Sequence, residues 1–260
     1  MPDFIIIGTQ KGGTSSLYSY LSQHPCVRAA AVKEVHFFDE NFDKGLNWYR
    51  RFFPTLAHKV ADLNLKKKQR MLTGEASPYY IFHPLAAKRI AAIIPKVKLV
   101  AMLRNPVTRA YSHYQHEVRA GDEHLSSFAE AIAQEEERLK GEKEKILADE
   151  QYNSFNYRHY SYLARGIYAD QLETWFSFFS PEQILIIASE EFYANPASIY
   201  QKTLNFLNLP DFELKSYGKY NTNQYEGMDA TLHQKIGAYF QPHNERLANM
   251  LGRQFEWDKE

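Results

Sequence analysis

The apolar positions of this chain fall into short unbroken runs, separated by segments whose apolar residues recur at helical spacing. Phe4 to Ile7 is one such run, rich in β-branched residues and ended by Gly8. "TSSLYSYLSQHP" follows, with Leu17 and Leu21 four residues apart on one helix face and a stop before Pro25. The theme recurs in "KVKLVAMLRNP", where Val97 to Leu103 reads as a buried parallel strand, and in "PVTRAYSHYQHEV", a helix with proline in its first turn. A third strand in "QILIIASEEF" precedes the helix-compatible "NPASIYQKTLNFL". Apolar strands alternating with helices predict an α/β fold, an open parallel β-sheet flanked by helices, with ligands outside the carboxyl ends of the strands.

Between Asp122 and Glu150 the pattern gives way to charge of both signs, as in "EEERLKGEKEKILADE", which predicts a solvated surface helix. Helical spacing returns from Ser161 to Phe179, and Asp229 to Leu251 predicts a closing C-terminal helix. No repeat or low-complexity linker interrupts the chain, so a single domain over 1–260 is expected, long enough to bury a full core. Lys plus Arg (31) equal Asp plus Glu (31), so no global field recruits nucleic acid or anionic membrane, and local patches must carry any anion binding. Cys26 is the only cysteine, which excludes an internal disulfide and predicts a buried thiol. No apolar stretch approaches the length of a membrane span, and a cytoplasmic location is expected.

The loop after the first strand, "IIIGTQKGGTSS", nearly spells a nucleotide triphosphate site. Against G-x-x-x-x-G-K-[ST], Gly8, Gly13 and Ser15 stand at the expected offsets, yet Thr14 holds the lysine position and Lys11 lies inside the loop. Such a P-loop-like turn presents backbone N–H groups and the positive end of a helix dipole to an anion. Gly12 and Gly13 permit close approach, and Thr14, Ser15 and Ser16 add hydroxyls. A triphosphate enzyme also needs an aspartate closing an apolar strand to hold Mg²⁺, whereas these strands end in Leu103-Arg104-Asn105 and Ala188-Ser189. A metal-dependent kinase is disfavoured, and no metal is expected.

In this form the loop resembles the 5′-phosphosulfate loop of sulfotransferases that use 3′-phosphoadenosine 5′-phosphosulfate (PAPS), where the lysine precedes the glycine pair. The resemblance implies PAPS as co-substrate and adenosine 3′,5′-bisphosphate as product. It implies Lys11, Gly12, Gly13, Thr14, Ser15 and Ser16 as binding residues, with Lys11 also catalytic beside the oxygen that bridges phosphate and sulfate. "KLVAMLRNPVTRAYSHYQHEVRAG" is similar to the same family's 3′-phosphate site, with Arg104 at the strand end and Ser112 eight residues on. The loop that closes that site in the family is not matched; "YGKYNTNQYEGM" stands there, with Lys219 and Asn221 as candidates.

"AAVKEVHFFDENFDKGLNWYRRFFP" resembles the heparan sulfate sulfotransferase branch and its bacterial relatives. That likeness implies Glu34 as general base, because an alcohol is a poor nucleophile until its proton is taken. His36, expected two residues along the same strand face, orients Glu34 or is itself the base, and Lys33 is a candidate to help hold sulfate. Asp39, Lys44, Gly45, Trp48 and Tyr49 complete the likeness and are expected to be architectural. The branch's E-K-S-P is replaced by "GEASPYYIF", so Glu75, Ser77 and Pro78 match while Ala76 stands in place of a lysine. The missing cation weakens a polyanionic glycan as acceptor and leaves Lys11 to act with less help, or Arg158, His159 or Arg165 to substitute. With "RGIYADQLETWFSFFSPEQILIIASEEFYANPASIYQKTLNFLNLP" included, the likeness covers nearly the whole chain.

Three readings stay open at this point. The leading one is sulfuryl transfer to a hydroxyl or amine of a glycan, a small metabolite or a carrier-protein-bound β-hydroxyacyl chain. A P-loop kinase using ATP and Mg²⁺ is the second, and a non-catalytic nucleotide-binding protein the third. The sequence carries no clean signal of oligomeric state.

Overall fold

Phe4–Gly8 contains no polar side chain and forms β1, buried along its whole length. The computed structural model describes residues 1–55, 71–218 and 227–259, so Lys219 and Asn221 lie outside the described residues. Contacts group the chain into two compact units interleaved in sequence, one made of 1–103 with 178–222 and the other of 104–177 with 223–260.

The first unit holds the sheet. After β1 come α1 (Thr14–Ser22), β2 (Val27–Ala29), α2 (Gly45–Arg50), β3 (Leu72–Ala76), α3 (Ala86–Ile93) and β4 (Lys98–Leu103). β5 (Ile184–Ala188) returns from the second segment, followed by helices Ser189–Ala194 and Pro196–Leu207. All five strands are parallel, in the order β2-β3-β1-β4-β5, with Ile5 opposite Glu75 and Ile6 opposite Val100. β1 is therefore central, and the carboxyl ends of β1, β3 and β5 deliver the loop after Gly8, Ser77 and Ser189 to one edge of the sheet. Phe4, Ile6, Leu17, Leu21, Val100 and Ile187 pack the core on one face, and Cys26 is buried there as expected. The open parallel sheet is as the apolar runs predicted, although β2 and β3 were not foreseen.

In the second unit, α4 (Pro106–Ala120) starts on an Asn105 cap whose Oδ1 accepts from the Val107 N–H at 2.9 Å, with Pro106 in the first turn. The single solvated helix expected over 122–150 is instead three short ones, Phe128–Ala133, Glu135–Leu139 and Glu142–Ala148. Glu123, Glu135 and Glu142 are buried anchors rather than surface charges. Arg138 forks onto Glu123 at 2.6 and 3.1 Å, and Glu135 accepts the Leu163 and Ala164 N–H groups at 2.7 and 2.8 Å. The helix expected over 161–179 is confined to Tyr168–Phe176, while the C-terminal helix runs Ala230–Leu251 behind an Asp229 cap. Among the described residues no helix is long and apolar enough to cross a membrane.

Candidate active site

The loop between β1 and α1 is shaped by two demands, anchorage to the sheet and room above the helix. Thr9 N–H donates to Met102 O at 2.9 Å, and Ser189 Oγ donates to Gly12 O at 2.7 Å, which fixes the loop between β4 and the end of β5. A Cβ on Gly12 would lie 2.7 Å from Met102 O and 3.0 Å from Thr9 O, so only glycine fits this approach. Gly13 takes φ +91° at the start of α1, and the helix has no side-chain cap hydrogen bond. A helix N-terminus without a side-chain cap, behind a loop packed this closely on the sheet, suits an anion with several oxygen acceptors, which is the chemistry of a phosphosulfate. Thr14 and Ser16 are buried while Ser15 and Lys11 keep partial access, with Lys11 at φ +70°.

Lys33 connects this loop to the segment that follows β2. Its Nζ donates to Ser15 Oγ at 2.6 Å and also pairs with Glu34. Glu34 Oε2 lies 3.3 Å from His36 Nε2, and His36 Nδ1 lies 2.8 Å from Asp39 Oδ2, whose carboxylate is fully buried. Ser15, Lys33, Glu34, His36 and Asp39 thus form one connected chain of polar contacts. Burial alone would raise the Glu34 carboxyl, but the His36 hydrogen bond and the Lys33 charge outweigh it and hold the group down to about 2.

Residues 34–38 are not the strand on whose face Glu34 and His36 were expected to lie. They form an irregular bend in which His36 adopts φ +49°, so Glu34 and His36 meet through the bend and not along a strand face. Asp39 and Tyr49, expected to be architectural, both touch this machinery, Asp39 through His36 and Tyr49 through a short hydrogen bond to Glu75. The spacing of Asp39 three residues after His36 was the available signal for the first. Glu75 is the only acidic residue on a strand among the described residues and is fully buried. Burial drives its carboxyl up to about 7 against hydrogen bonds from Tyr49, Ser77 and the Val35 N–H, and the Asp39 charge adds to the rise.

Arg104 and Ser112 belong to the second unit. Arg104 Nε donates to Thr108 Oγ1 at 3.1 Å, its carbonyl accepts Tyr168 Oη at 2.8 Å, and Ser112 is buried two turns into α4. His159 and Arg165, proposed from sequence as substitute cations, are engaged locally: His159 Nδ1 lies 2.7 Å from Glu117 Oε2, and Arg165 bonds Ser161 Oγ at 2.7 Å and the Arg158 carbonyl.

Comparison with known proteins shows the family. A family model described as a sulfotransferase domain matches residues 1–235, and the chain belongs to that family. The family's reaction class is sulfuryl transfer. The crystal structure of a sulfotransferase from Alicyclobacillus acidocaldarius superposes with a TM-score of 0.73 at 34% identity, over 99% of each chain. A sulfotransferase domain from the curacin biosynthetic pathway shares the fold at a TM-score of 0.53 and 16% identity, over 98% of this chain and 99% of that one. Among curated proteins, bifunctional heparan sulfate N-deacetylase/N-sulfotransferase 3 of Homo sapiens is 28% identical over 96% of this chain, which spans only 30% of that protein. The membrane-associated sulfotransferase kil1 of Dictyostelium discoideum is 26% identical over 99% of this chain and 66% of its own length. Family membership leaves the kinase reading without support.

Proposed function

We propose that this chain transfers a sulfuryl group from PAPS to a hydroxyl or amine of a glycan, a small metabolite or a carrier-bound β-hydroxyacyl chain, as one functional domain. The observation that carries the proposal is Lys33, which joins Ser15 of the anion loop to Glu34, so the anion site and the candidate base share one cation. PAPS supplies an activated sulfur whose bond to the bridging phosphate oxygen breaks as the acceptor oxygen or nitrogen bonds to it. Lys11, Gly12, Gly13, Thr14 and Ser15 would hold the phosphosulfate, with Lys11 offsetting the charge that develops on the bridging oxygen. Arg104 and Ser112 would take the 3′-phosphate, and adenosine 3′,5′-bisphosphate leaves. The acceptor proton passes to the Glu34–His36 pair.

Within that pair the proton has two possible holders. The Glu34 carboxylate is held to about 2 by His36 and Lys33, and His36 itself lies between the Glu34 and Asp39 carboxylates, so the imidazole can take the proton only with Nε2 turned from Glu34 to the acceptor. The test is turnover of PAPS with an acceptor panel by Glu34→Gln and His36→Asn. If His36 holds the proton, His36→Asn costs the larger factor in kcat; if Glu34 does, the order reverses. Neither variant changes affinity for adenosine 3′,5′-bisphosphate on this reading, and loss of that affinity in both would refute their placement on the acceptor side.

A further inference from the structure

Three successive backbone N–H groups of the bend point to one buried centre. The His36 N–H donates to Ser77 Oγ at 3.3 Å, and the Phe37 and Phe38 N–H groups share Tyr80 Oη at 2.9 and 3.3 Å. Ser77 Oγ in turn donates to Glu75 Oε2 at 2.8 Å, and Tyr80 Oη lies 3.4 and 3.5 Å from the two Glu75 oxygens. Tyr49 Oη closes the ring on Glu75 Oε1. Ala76 N–H donates to Lys33 O at 3.1 Å, so the bend is tied to β3 at its other end as well. Glu75, Ser77 and Tyr80 are each fully or almost fully buried.

Buried amide groups need acceptors, and the His36, Phe37 and Phe38 N–H groups find theirs outside the bend. Here the acceptors are supplied by β3 and the turn after it, a rigid part of the sheet. Glu75 touches neither Glu34 nor His36 side chains in these contacts; it reaches them through the backbone that carries them.

We propose that Glu75 is a positioning residue for sulfuryl transfer, a buried hub that sets the bend carrying Glu34 and His36 through Ser77 and Tyr80. The inference rests on the sulfotransferase reading above. It assigns no contact between Glu75 and PAPS or acceptor. Its effect is on the alignment of the base, where displacements of a fraction of an ångström cost turnover more than binding.

The test uses the full chain with Glu75→Gln, Ser77→Ala and Ser77→Thr. Glu75→Gln and Ser77→Ala are expected to lower kcat by about 10- to 100-fold, while KM for PAPS and affinity for adenosine 3′,5′-bisphosphate stay within about twofold of the parent. Ser77→Thr keeps the hydroxyl and is expected to recover most of the loss, and the double variant Glu75→Gln/Ser77→Ala to lose no more than the worse single one. The His36 ring resonances in NMR shift in Glu75→Gln without any acceptor present. Unchanged kcat in both single variants would overturn the proposal, as would bisphosphate affinity and thermal midpoint falling in step with kcat. Should Glu75→Gln fail to fold, the Ser77→Ala and Ser77→Thr pair decides alone. Failure of the parent to bind bisphosphate or use PAPS would sink the function itself, while the His36 resonances still report whether the hub holds the bend.

Discussion

Gly12→Ala puts the anion loop to its most direct physical test. The new methyl would sit 2.7 Å from Met102 O and 3.0 Å from Thr9 O, both backbone atoms with little freedom to yield. Reaching the 3.4 Å of ordinary contact from 2.7 Å requires a shift of about 0.7 Å, borne by the loop because Met102 is held inside β4 between β1 and β5. Overpacking of this kind costs about 1–3 kcal/mol. Whatever the loop relaxes in the free protein it must restore on binding an anion above α1, so the cost divides between thermal midpoint and affinity. If most of it appears in binding, affinity for adenosine 3′,5′-bisphosphate falls about 5- to 150-fold. Calorimetric titration with the bisphosphate, alongside a thermal melt, measures both parts. Gly237→Ala is the control, since nothing lies within 4 Å of a Cβ there and its helical site should accept alanine with a small gain. Parental affinity and midpoint in Gly12→Ala would refute the claim that this approach shapes the site.

Three further outcomes follow from the same contacts. Asp39→Asn replaces the acceptor on His36 Nδ1 with a group that can present a donor, and kcat should fall about 10²- to 10⁴-fold with bisphosphate affinity unchanged, as read by steady-state turnover and titration. Arg104→Ala should cost about 1.5–3 kcal/mol of bisphosphate binding, because a charge-assisted bond is lost, with adenosine 5′-phosphate binding little altered in calorimetry. Burial raises the Glu135 carboxyl to about 7 in the folded protein, above its value in the unfolded chain, so its contribution to stability is fully present at pH below about 4.5 and is lost as pH rises toward 7. Burial lowers His24, His83 and His113, which titrate with the opposite sign, so the quantity to measure is the difference in midpoint between parent and Glu135→Gln; the parent should lose ground to the variant across that window and hold steady above it.

The parts of the fold that were legible in sequence are those whose side chains are almost all apolar. β1 and β4 lie inside the sheet and β5 at its edge, all three written as nearly unbroken apolar runs, and α1 and α4 follow β1 and β4 with clear starts. β3, Leu72–Ala76, is equally buried but carries Thr73 and Glu75, whose polar groups are satisfied by the Arg28 carbonyl and by Tyr49 and Ser77. No local pattern announces a strand whose side chains are paid for by distant partners. β2 is only three residues long.

The bend at 34–38 shows the converse. Glu34, Val35, His36 and Phe37 alternate like a strand, yet the His36, Phe37 and Phe38 N–H groups go to Ser77 and Tyr80 rather than to a neighbouring strand. Its identity as the acceptor-side segment was nonetheless readable, because Glu34 and His36 are in the motif whatever the backbone does. The 122–150 stretch misled for a related reason: mixed charge ordinarily means solvent, and the burial of Glu123, Glu135 and Glu142 depends on Arg138, Ser154 and two backbone amides far along the chain.

The central claim is sulfuryl transfer with the proton taken by the Glu34–His36 pair. The measurement closest to it is transfer of radiolabelled sulfate from PAPS to a mixed panel of alcohols, sugars and amines, run on the parent chain and on Glu34→Gln/His36→Asn. The account predicts that label moves to one acceptor class with matching release of adenosine 3′,5′-bisphosphate, and that transfer is lost in the double variant while bisphosphate binding is retained. Transfer at the parental rate by the double variant would contradict it.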